Sequence, residues 1–417
     1  MQIDLFALHA LNIAVWCLVS RTNKIQCDTS RMVDRCGRYV FVGTGMSLRT
    51  FITFRRDRSS HRLIIVAMLL YLIVAVSFLV TAVVADVDST SVFTPNLANV
   101  SCYRIPSVVQ TKSGVLLAFA EARHGSCGDN EVHEIALRRS KDGGERWGKV
   151  SFPVGNKTYW VGNPAAVARE DGTVVVVFAK HDARCTGDCA TGNGVVYSAD
   201  DGVTWSEVED ISSQLGVAKG GLPGPGTALQ LTPTHPFHPR RLLIVSHMRA
   251  YVHDFVSYSD DGGTTWTTNA RPFPKMDEAA LTELSNGSVM LNMRHQREST
   301  LGRGVSISRD GGDTFGEVTY DKALVGPVCQ ASIVSFNGAT YFSNPADAHR
   351  RDKITIRRSQ DNAVTWESSL LVHAGKTFGY SCLVKGPLIM RGGGQSGGIL
   401  FESANESVAF AEFPLGF

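Results

Sequence analysis

A short motif, Ser-x-Asp-x-Gly-x-x-aromatic, recurs along most of the chain. It appears as SKDGGERW at 140, SADDGVTW at 198, SDDGGTTW at 259, SRDGGDTF at 308 and, in a degraded form, SQDNAVTW at 359. Ser and Asp side chains bond to nearby backbone groups and Gly supplies a positive φ, so each copy is typical of a tight turn. We therefore expect five hairpin tips, each followed by an aromatic residue that begins the next buried surface.

Hydrophobic runs stand at regular positions relative to these tips. Each tip is preceded by a run such as GVLLAFAEAR or GTVVVVFAKH and then by an alternating strand such as EIALRRS or GVVYS, and a sixth run, GGILFES, has no tip after it. Units of several strands that repeat about every 50 residues predict a propeller, because one unit cannot bury both faces of its sheet and must stack in a closed ring. The fold class expected is all-β, a six-bladed β-propeller over residues 86–417.

An apolar run at 63–85, LIIVAMLLYLIVAVSFLVTAVVA, is long enough to cross a bilayer as one helix. Five arginines lie within residues 49–62, directly before this run, and Asp86 and Asp88 follow it. By the positive-inside rule, residues 1–62 form a short basic cytoplasmic region and the propeller lies in a lumenal space, lysosomal or secretory, or outside the cell. The alternative is a cleaved signal peptide that starts at a later methionine and ends at VVA. Both interpretations place residues 86–417 across the membrane.

Cysteine usage agrees with that compartment. An even set follows the apolar run, namely Cys102, Cys127, Cys185, Cys189, Cys329 and Cys382. Such a set suits disulfides in an oxidising space, with the pairing left open. Zinc binding by Cys185 and Cys189 is the alternative, but no second Cys or His pair stands at finger spacing, so no metal or other cofactor is expected. Asn-x-Ser/Thr acceptor sequences, consistent with secretory transit, begin at Asn99, Asn156, Asn286 and Asn405.

Arginines stand where strands of the propeller would begin or end. YRIPSVV carries Arg104, GVLLAFAEAR ends in Arg123, GSVMLNMR ends in Arg294, and Arg351 stands just ahead of its strand. The inner strands of a propeller converge on its axis, so these side chains are expected to meet. Like charges that meet need an anion between them, and a guanidinium group binds a carboxylate through two parallel hydrogen bonds. The ligand predicted is a carboxylate, whereas the formal charge of +2 gives no pull toward nucleic acid.

The YRIP sequence, the five tips and the spaced arginines resemble the exo-α-sialidases of the six-bladed propeller type over residues 100–417. The phrases LLAFAEAR, ALRRSKDGG, GNPAAV, FSNPA and GYSCL are similar in particular to the lysosomal sialidase branch of animals and its bacterial relatives. The resemblance implies hydrolysis of terminal sialic acid, with sialylated glycoproteins, glycolipids or oligosaccharides as partners. Some lysosomal relatives need a stabilising protein partner, and the sequence leaves that question open.

The resemblance also implies a set of substrate-binding residues, which are Arg104, Arg294, Arg351, Arg123 and Asn163. The first three form a triad that clamps the carboxylate of sialic acid, and Arg350 is the alternative for the third position. Arg123 would lie near the acyl side of the sugar, and Asn163 near a ring hydroxyl.

Three further residues take the family's catalytic places. Asp129, in a mobile loop six residues after Arg123, matches the acid/base, Tyr380 of GYSCL matches the nucleophile, and Glu278 matches the base that serves it. A carboxylate nucleophile would be repelled by the carboxylate on the anomeric carbon of sialic acid, and a tyrosine nucleophile is the known exception among glycosidases. Because a phenol has a pKa near 10, it needs a neighbouring base. Two successive inversions then give retention of configuration.

Two alternatives remain. A catalytically silent sialic-acid lectin would keep the arginines but lose Asp129, Tyr380 or Glu278, all of which are present. A trans-sialidase would resolve the tyrosine intermediate with a sugar hydroxyl instead of water. The sequence departs from the turn motif at Ala363, which replaces the Gly of the fifth tip, and we expect that change to bear on stability only.

Overall fold

A computed structural model describes most of the chain after residue 86 and a short part before it. The described residues are 39–45, 48–54, 87–129, 132–155, 159–182, 192–215, 221–248, 253–296, 302–386, 388–389 and 395–417. The chain divides into two compact units at residues 85 and 86. In the first unit, β1 (Tyr39–Gly45) and β2 (Leu48–Phe54) form an antiparallel pair.

The predicted apolar helix at 63–85 lies outside the described residues. Within the described part of the chain, no helix is both long enough and apolar enough to span a bilayer.

The second unit begins with β3 (Ser89–Phe93) and a 3-10 turn at Leu97–Asn99, and it forms six sheets that are antiparallel apart from one short parallel pair. Blade 1 consists of β4 (Cys102–Gln110), β5 (Leu116–Arg123), β6 (His133–Ser140) and β7 (Ser151–Val154). Blade 2 consists of β8 (Tyr159–Ala168), β9 (Val174–Asp182), β10 (Gly192–Ser198) and β11 (Glu209–Asp210). Blade 3 contains β12 (Leu222–Pro223), β14 (Leu229–Gln230), β15 (Leu242–His247), β16 (His253–Ser259), β17 (Thr267–Thr268) and β18 (Phe273–Pro274), while the intervening β13 (Gly226–Thr227) pairs in parallel with β8.

The remaining blades complete the ring. Blade 4 consists of β19 (Met276–Glu283), β20 (Val289–His295), β21 (Arg303–Ser308) and β22 (Thr319–Asp321). Blade 5 consists of β23 (Ser332–Phe336), β24 (Ala339–Pro345), β25 (Asp352–Ser359) and β26 (Ser368–Lys376). Blade 6 consists of β27 (Ser381–Leu383), β28 (Leu388–Ile389), β29 (Gln395–Glu402), β30 (Val408–Pro414) and β3. The predicted six-bladed β-propeller is confirmed.

The ring closes because both ends of the propeller share blade 6. Its outer strand is β3, which pairs with β30 in the register Ser89 to Ala411. The fourth strand of this blade thus comes from the opposite end of the chain, and no turn leads from its third strand to its fourth. That arrangement explains why six blades carry five tip motifs.

The hydrophobic runs are the second strands of their blades. All eight residues of β5 and all seven of β20 are buried, because neighbouring blades cover both faces of each sheet. Between blades 1 and 2, for example, Phe119 of β5 and Phe178 of β9 lie in one apolar cluster. Continuous apolar runs, instead of alternating ones, follow from this double coverage.

The tip motif forms the turn between the third and fourth strands, as the sequence predicts. In the first copy, the Ser140 hydroxyl accepts a hydrogen bond from the backbone N–H of Gly144 at 2.9 Å and donates one to Asp142 at 2.9 Å. Gly144 has φ of 103°, and the Trp147 indole N–H donates to its carbonyl oxygen at 2.9 Å. The aromatic side chain therefore locks the turn that its motif begins.

The fifth tip should gain stability from restoring the glycine that it lacks. Ala363 has φ of 61°, a left-handed conformation that an alanine adopts only at a cost, although its N–H still donates to Ser359 Oγ at 2.9 Å. We expect Ala363→Gly to raise the free energy of unfolding by about 0.5–1 kcal/mol, measured by urea denaturation of the full chain. Ala199→Gly, at an exposed position of the second tip with no positive φ, is the matched control and should lower stability. A loss of stability in both variants would contradict the argument.

Candidate active site

The predicted site residues collect at one end of the blades. Successive strands run in opposite directions, so the start of a first strand and the end of a second strand share one face of the propeller. Arg104 lies near the start of β4, Arg123 ends β5 and Arg294 lies one residue before the end of β20. Tyr380 immediately precedes β27 on the same face. Residues far apart in sequence therefore meet near the axis.

Tyr380 lies at the centre of this group. Its side chain is buried, and its hydroxyl donates a hydrogen bond to Glu278 Oε1. The guanidinium carbons of Arg104 and Arg351 lie 5.2 Å and 5.7 Å from the centroid of its ring. Arg294 Nη1 donates to the other oxygen of Glu278 at 2.5 Å. The structure thus brings the predicted triad, the predicted nucleophile and the predicted base into one cluster.

The choice between Arg351 and Arg350 can be made from their surroundings. Arg351 donates to the carbonyl oxygens of Phe378 at 3.1 Å and Val328 at 3.2 Å, which hold it beside Tyr380. The side chain of Arg350 is 69% exposed and pairs with Asp347 and Asp352. Arg351 is therefore the arginine that faces the cluster.

A carboxylate that sequence reasoning missed holds Arg104 in place. Glu402 is 1% exposed, and its two oxygens lie 3.0 Å and 3.5 Å from Nε and Nη2 of Arg104. It also accepts hydrogen bonds from the backbone N–H groups of Ile105 at 3.1 Å and Tyr380 at 2.9 Å. The sequence did carry a signal for this residue, because Glu402 is where the sixth hydrophobic run, GGILFES, ends as a strand on this face.

Glu121 plays the same part in the next blade. It is 1% exposed, binds Arg123 through Nε at 3.0 Å and Nη2 at 2.6 Å, and accepts the N–H of Asn163 at 2.8 Å. Gly162 makes this close approach possible, since a Cβ there would overlap with Oε1 of Glu121. Glu121 thus joins Arg123 and Asn163, and it too was missed from the sequence.

A third missed carboxylate, Asp277, precedes Glu278. Adjacent residues of a strand normally point to opposite faces, but β19 has a bulge between Asp277 and Ala279. The bulge lets both carboxylates reach one guanidinium, with Arg294 Nε 3.1 Å from Asp277 Oδ2. Arg294 therefore bridges two buried acids.

Asp129 lies at the edge of the cluster. Its side chain is 73% exposed, and its Oδ1 accepts a hydrogen bond from Arg123 Nη1 at 2.7 Å and a longer one from Arg104 Nη1 at 3.4 Å. The predicted acid is thus in contact with two of the predicted binding residues while remaining open to solvent.

The cysteines are only partly paired. Cys102 and Cys127 form a disulfide, whereas Cys329 and Cys382 are free and buried. The expectation that the whole even set suits disulfides is therefore wrong for these two, because they pack in different apolar clusters, Cys329 beside Tyr380 and Cys382 between blades. Cys185 and Cys189 lie outside the described residues.

The surroundings set the protonation states of the central pair. Burial raises the pKa of Tyr380 well above its usual value, and the negative charge of Glu278 raises it further. Burial alone would raise the pKa of Glu278, but the charge of Arg294, together with His247 and the hydrogen bonds from Tyr380 and Arg294, lowers it below its usual value. The cluster therefore holds a neutral phenol that donates a hydrogen bond to an ionised carboxylate.

Asp129 is ionised as well. Partial burial would raise its pKa, but the charge of Arg123 and the hydrogen bond from Arg123 lower it below its usual value. In the free protein, Asp129 is therefore a base until a bound ligand changes its surroundings.

Known proteins resemble this chain over most of the propeller. A family model for the BNR repeat-like domain matches residues 106–388. The chain is 30% identical over 347 residues to a sialidase of Bacteroides fragilis. This match covers 75% of this chain and 62% of that protein. The chain is also 33% identical over 318 residues to a sialidase of Micromonospora viridifaciens. This match covers 68% of this chain and 48% of that protein. The chain belongs to the sialidase family with BNR repeats.

A solved structure leads to the same family. The sialidase-family chain matches the microbial sialidase Hz136 with a TM-score of 0.70 and 29% identity, over 78% of this chain and 68% of that one. It spans 62% and 48% of the length of the two sialidases named above.

The charge balance of the sialidase-family site predicts a stability effect at Glu402. Glu402→Gln keeps the size of the side chain but leaves the buried guanidinium of Arg104 without its main counter-charge. We expect the free energy of unfolding to fall by about 3 kcal/mol in urea denaturation. Glu207→Gln, on the exposed surface, should stay within about 0.5 kcal/mol of the parent. If the two variants lost equal stability, Glu402 would not be the group that compensates Arg104.

Proposed function

We propose that this protein is a retaining exo-α-sialidase. It removes terminal sialic acid from glycoproteins, glycolipids or oligosaccharides through a covalent glycosyl-tyrosine intermediate. The observation that carries the proposal is the hydrogen bond from the Tyr380 hydroxyl to Glu278, with Arg104, Arg294 and Arg351 gathered around it.

The three arginines bind the carboxylate of the sugar. Arg104 and Arg294 are already paired with buried carboxylates, which fix the direction of their remaining N–H groups. Arg351 donates to two neutral carbonyl groups, so its charge has no full counter-charge in those contacts. A ligand carboxylate supplies one, and a guanidinium fork can bind it with two hydrogen bonds.

Bond exchange at the anomeric carbon then proceeds in two steps. In the first, Glu278 takes the proton of Tyr380 as its oxygen bonds to the anomeric carbon, while Asp129 gives a proton to the departing glycosidic oxygen. In the second, Asp129 takes a proton from water, whose oxygen displaces Tyr380, and Glu278 returns the first proton to the phenol. Each step inverts the anomeric carbon, so the sugar leaves with its original configuration.

The substrate itself prepares Asp129 for the first step. Arg123 and Arg104 keep this carboxyl ionised in the free protein. A sialic acid carboxylate on Arg104 brings negative charge close to Asp129, and a like charge nearby raises the pKa of a carboxyl group. Binding therefore favours the protonated form that the departing oxygen needs.

A sialic-acid lectin would not need the arrangement of Tyr380, Glu278 and Asp129. A binding protein needs no base within hydrogen-bond reach of a buried phenol, nor a solvent-exposed carboxyl beside two arginines. The trans-sialidase alternative shares every step up to the covalent intermediate and differs only in the acceptor.

We also propose that the propeller works on the lumenal or extracellular side of a membrane, held by the apolar segment at 63–85 or released from it. The Cys102–Cys127 disulfide supports an oxidising compartment.

The proposed function is tested by following hydrolysis of an aryl α-sialoside by the full chain, with proton NMR of the first product. We expect the α-anomer of sialic acid to appear before the β-anomer. Tyr380→Phe should lower kcat by about 100-fold or more. Tyr341→Phe is the matched control, since that buried hydroxyl bonds to the Leu415 carbonyl in the core and its loss should leave kcat unchanged.

First appearance of the β-anomer, or full turnover by Tyr380→Phe, would refute the tyrosine intermediate. Folded protein that binds sialic acid without turnover would favour the lectin. Transfer to added lactose in place of hydrolysis would favour the trans-sialidase.

The arginine assignment gives a separate prediction. Arg351→Lys should raise KM at least about tenfold, because the ammonium group of lysine cannot replace the two parallel donors of a guanidinium. Arg350→Lys, at the exposed neighbouring position, is the matched control and should leave KM unchanged. The reverse result would assign the carboxylate clamp to Arg350.

A further inference from the structure

The Cys102–Cys127 disulfide lies beside two residues of the site, a position that stabilisation of the fold alone would not require. Cys102 stands two residues before Arg104, and Cys127 stands two residues before Asp129. One covalent bond therefore connects the strand that carries a carboxylate-binding arginine to the loop that carries the acid. These are the two groups that must act on the same sugar.

One end of this bond is rigid. Cys102 is fully buried in β4 and pairs in register with Arg123 of β5. Both strands lie in the interior of blade 1, where nearly every residue is covered. The disulfide thus fixes Cys127 to the sheet, and the span from a fixed point to Asp129 falls from six residues to two.

At the other end of the disulfide, Cys127 and Asp129 share one hydrogen-bond donor. Arg123 Nη1 donates to the Cys127 carbonyl oxygen at 2.6 Å and to Asp129 Oδ1 at 2.7 Å. A single nitrogen therefore positions the backbone at the disulfide and the carboxylate of the acid. If Cys127 moves, that donor and the carboxylate cannot both keep their geometry.

The other contacts of Gly128 and Asp129 are longer. The indole N–H of Trp160 donates to the Asp129 carbonyl at 3.3 Å, and His133 Nε2 lies 3.4 Å from the Gly128 carbonyl. The Asp129 side chain is itself 73% exposed. Gly128 and Asp129 therefore depend mainly on Arg123 and on the disulfide at Cys127 for their connection to the sheet.

We propose that Cys102 and Cys127 are positioning residues for Asp129: their disulfide holds the acid where it can protonate the departing oxygen. The proposal rests on the function proposed above. A general acid acts only within hydrogen-bond reach of the oxygen that it protonates, and loop-closure entropy favours that place once the disulfide has shortened the free span.

A positioning role predicts a selective loss of activity on substrates with poor leaving groups, which a general loss of stability does not predict. An aryl alcohol leaves readily as its anion and needs little help from an acid, whereas a sugar hydroxyl must be protonated as it leaves. Misplacing Asp129 therefore impairs hydrolysis of a sialyl galactoside far more than hydrolysis of an aryl sialoside. Loss of overall structure would impair both to the same degree.

The test compares full-length protein with its Cys102→Ala/Cys127→Ala variant on 4-methylumbelliferyl α-sialoside and on sialyllactose. We expect kcat/KM for sialyllactose to fall about 100-fold, near the lower limit for general-acid catalysis, and the value for the aryl substrate to fall only about threefold. Equal losses on both substrates, or no loss on either, would overturn the proposal.

A second variant tests whether the disulfide acts through Asp129. Asp129→Ala alone should show the same selective loss on sialyllactose, and adding it to the double cysteine variant should cause little further loss. Independent effects that multiply would show that the disulfide acts elsewhere, and would overturn the proposal.

If the double variant does not fold, dithiothreitol provides the same test on native protein. Reduction gives the disulfide two electrons and two protons to form two thiols, while dithiothreitol closes to its cyclic disulfide. Hydrolysis of sialyllactose should fall selectively and return on reoxidation. In the Asp129→Ala variant, reduction should cause little further loss on sialyllactose, because the acid that the disulfide positions is absent. Unchanged selectivity after complete reduction would overturn the proposal.

The two proposals fail separately. A wild-type protein that hydrolyses neither substrate refutes the sialidase function, and the role of the disulfide with it. An active wild type whose cysteine variant loses both substrates equally refutes only the positioning role.

Discussion

The hydrogen bond between Tyr380 and Glu278 determines how the rest of the site must be built. A buried phenol keeps its proton, and a buried carboxylate beside it would also be protonated if nothing opposed the loss of solvent. Arg294 opposes it by binding the carboxylate directly. The guanidinium therefore favours the ionised form of Glu278, and in the proposed function its remaining N–H groups also bind the sugar carboxylate. Replacing it with a neutral donor would leave two neutral groups with no drive to exchange a proton.

The other arginines of the site also need counter-charges. Several guanidinium groups near one axis repel each other, and buried carboxylates of the propeller compensate their charges. Glu402 compensates Arg104, Glu121 compensates Arg123, and Asp277 adds to Glu278 at Arg294. Glu402 ends a second strand, Glu121 lies two residues before the end of one, and Asp277 stands at the bulge of a first strand. Arg351, which contacts carbonyl groups, is the member of the triad that most needs an external anion.

The sequence predicts the parts of this design that depend on local chemistry. The tip motifs define their own turns, and the hydrophobic runs define strands covered on both faces, so blade number and strand order follow from them. The compensating carboxylates are harder to find, because Glu402 and Arg104 are nearly 300 positions apart and meet only when the ring closes. The contribution of β3 to blade 6 is hidden for the same reason. Pairing of Cys102 with Cys127 could not be read from spacing, since it depends on how the loop after β5 folds back over β4.

Two further first strands, β4 and β8, are also bulged, and they show how the backbone is adapted to the site. Ile105 and Asn163 each precede a proline and have φ of 58° and 50°, conformations that are unfavourable for a β-branched residue above all. In both cases a buried glutamate from the second strand of the preceding blade accepts a hydrogen bond from this N–H group, at 3.1 Å and 2.8 Å. The same glutamate also binds an arginine of the site. Backbone strain and side-chain charge are thus compensated by one carboxylate, and neither could be relaxed without disturbing the other. This coupling gives a physical reason why the unfavourable backbone occurs at the face where the arginines meet.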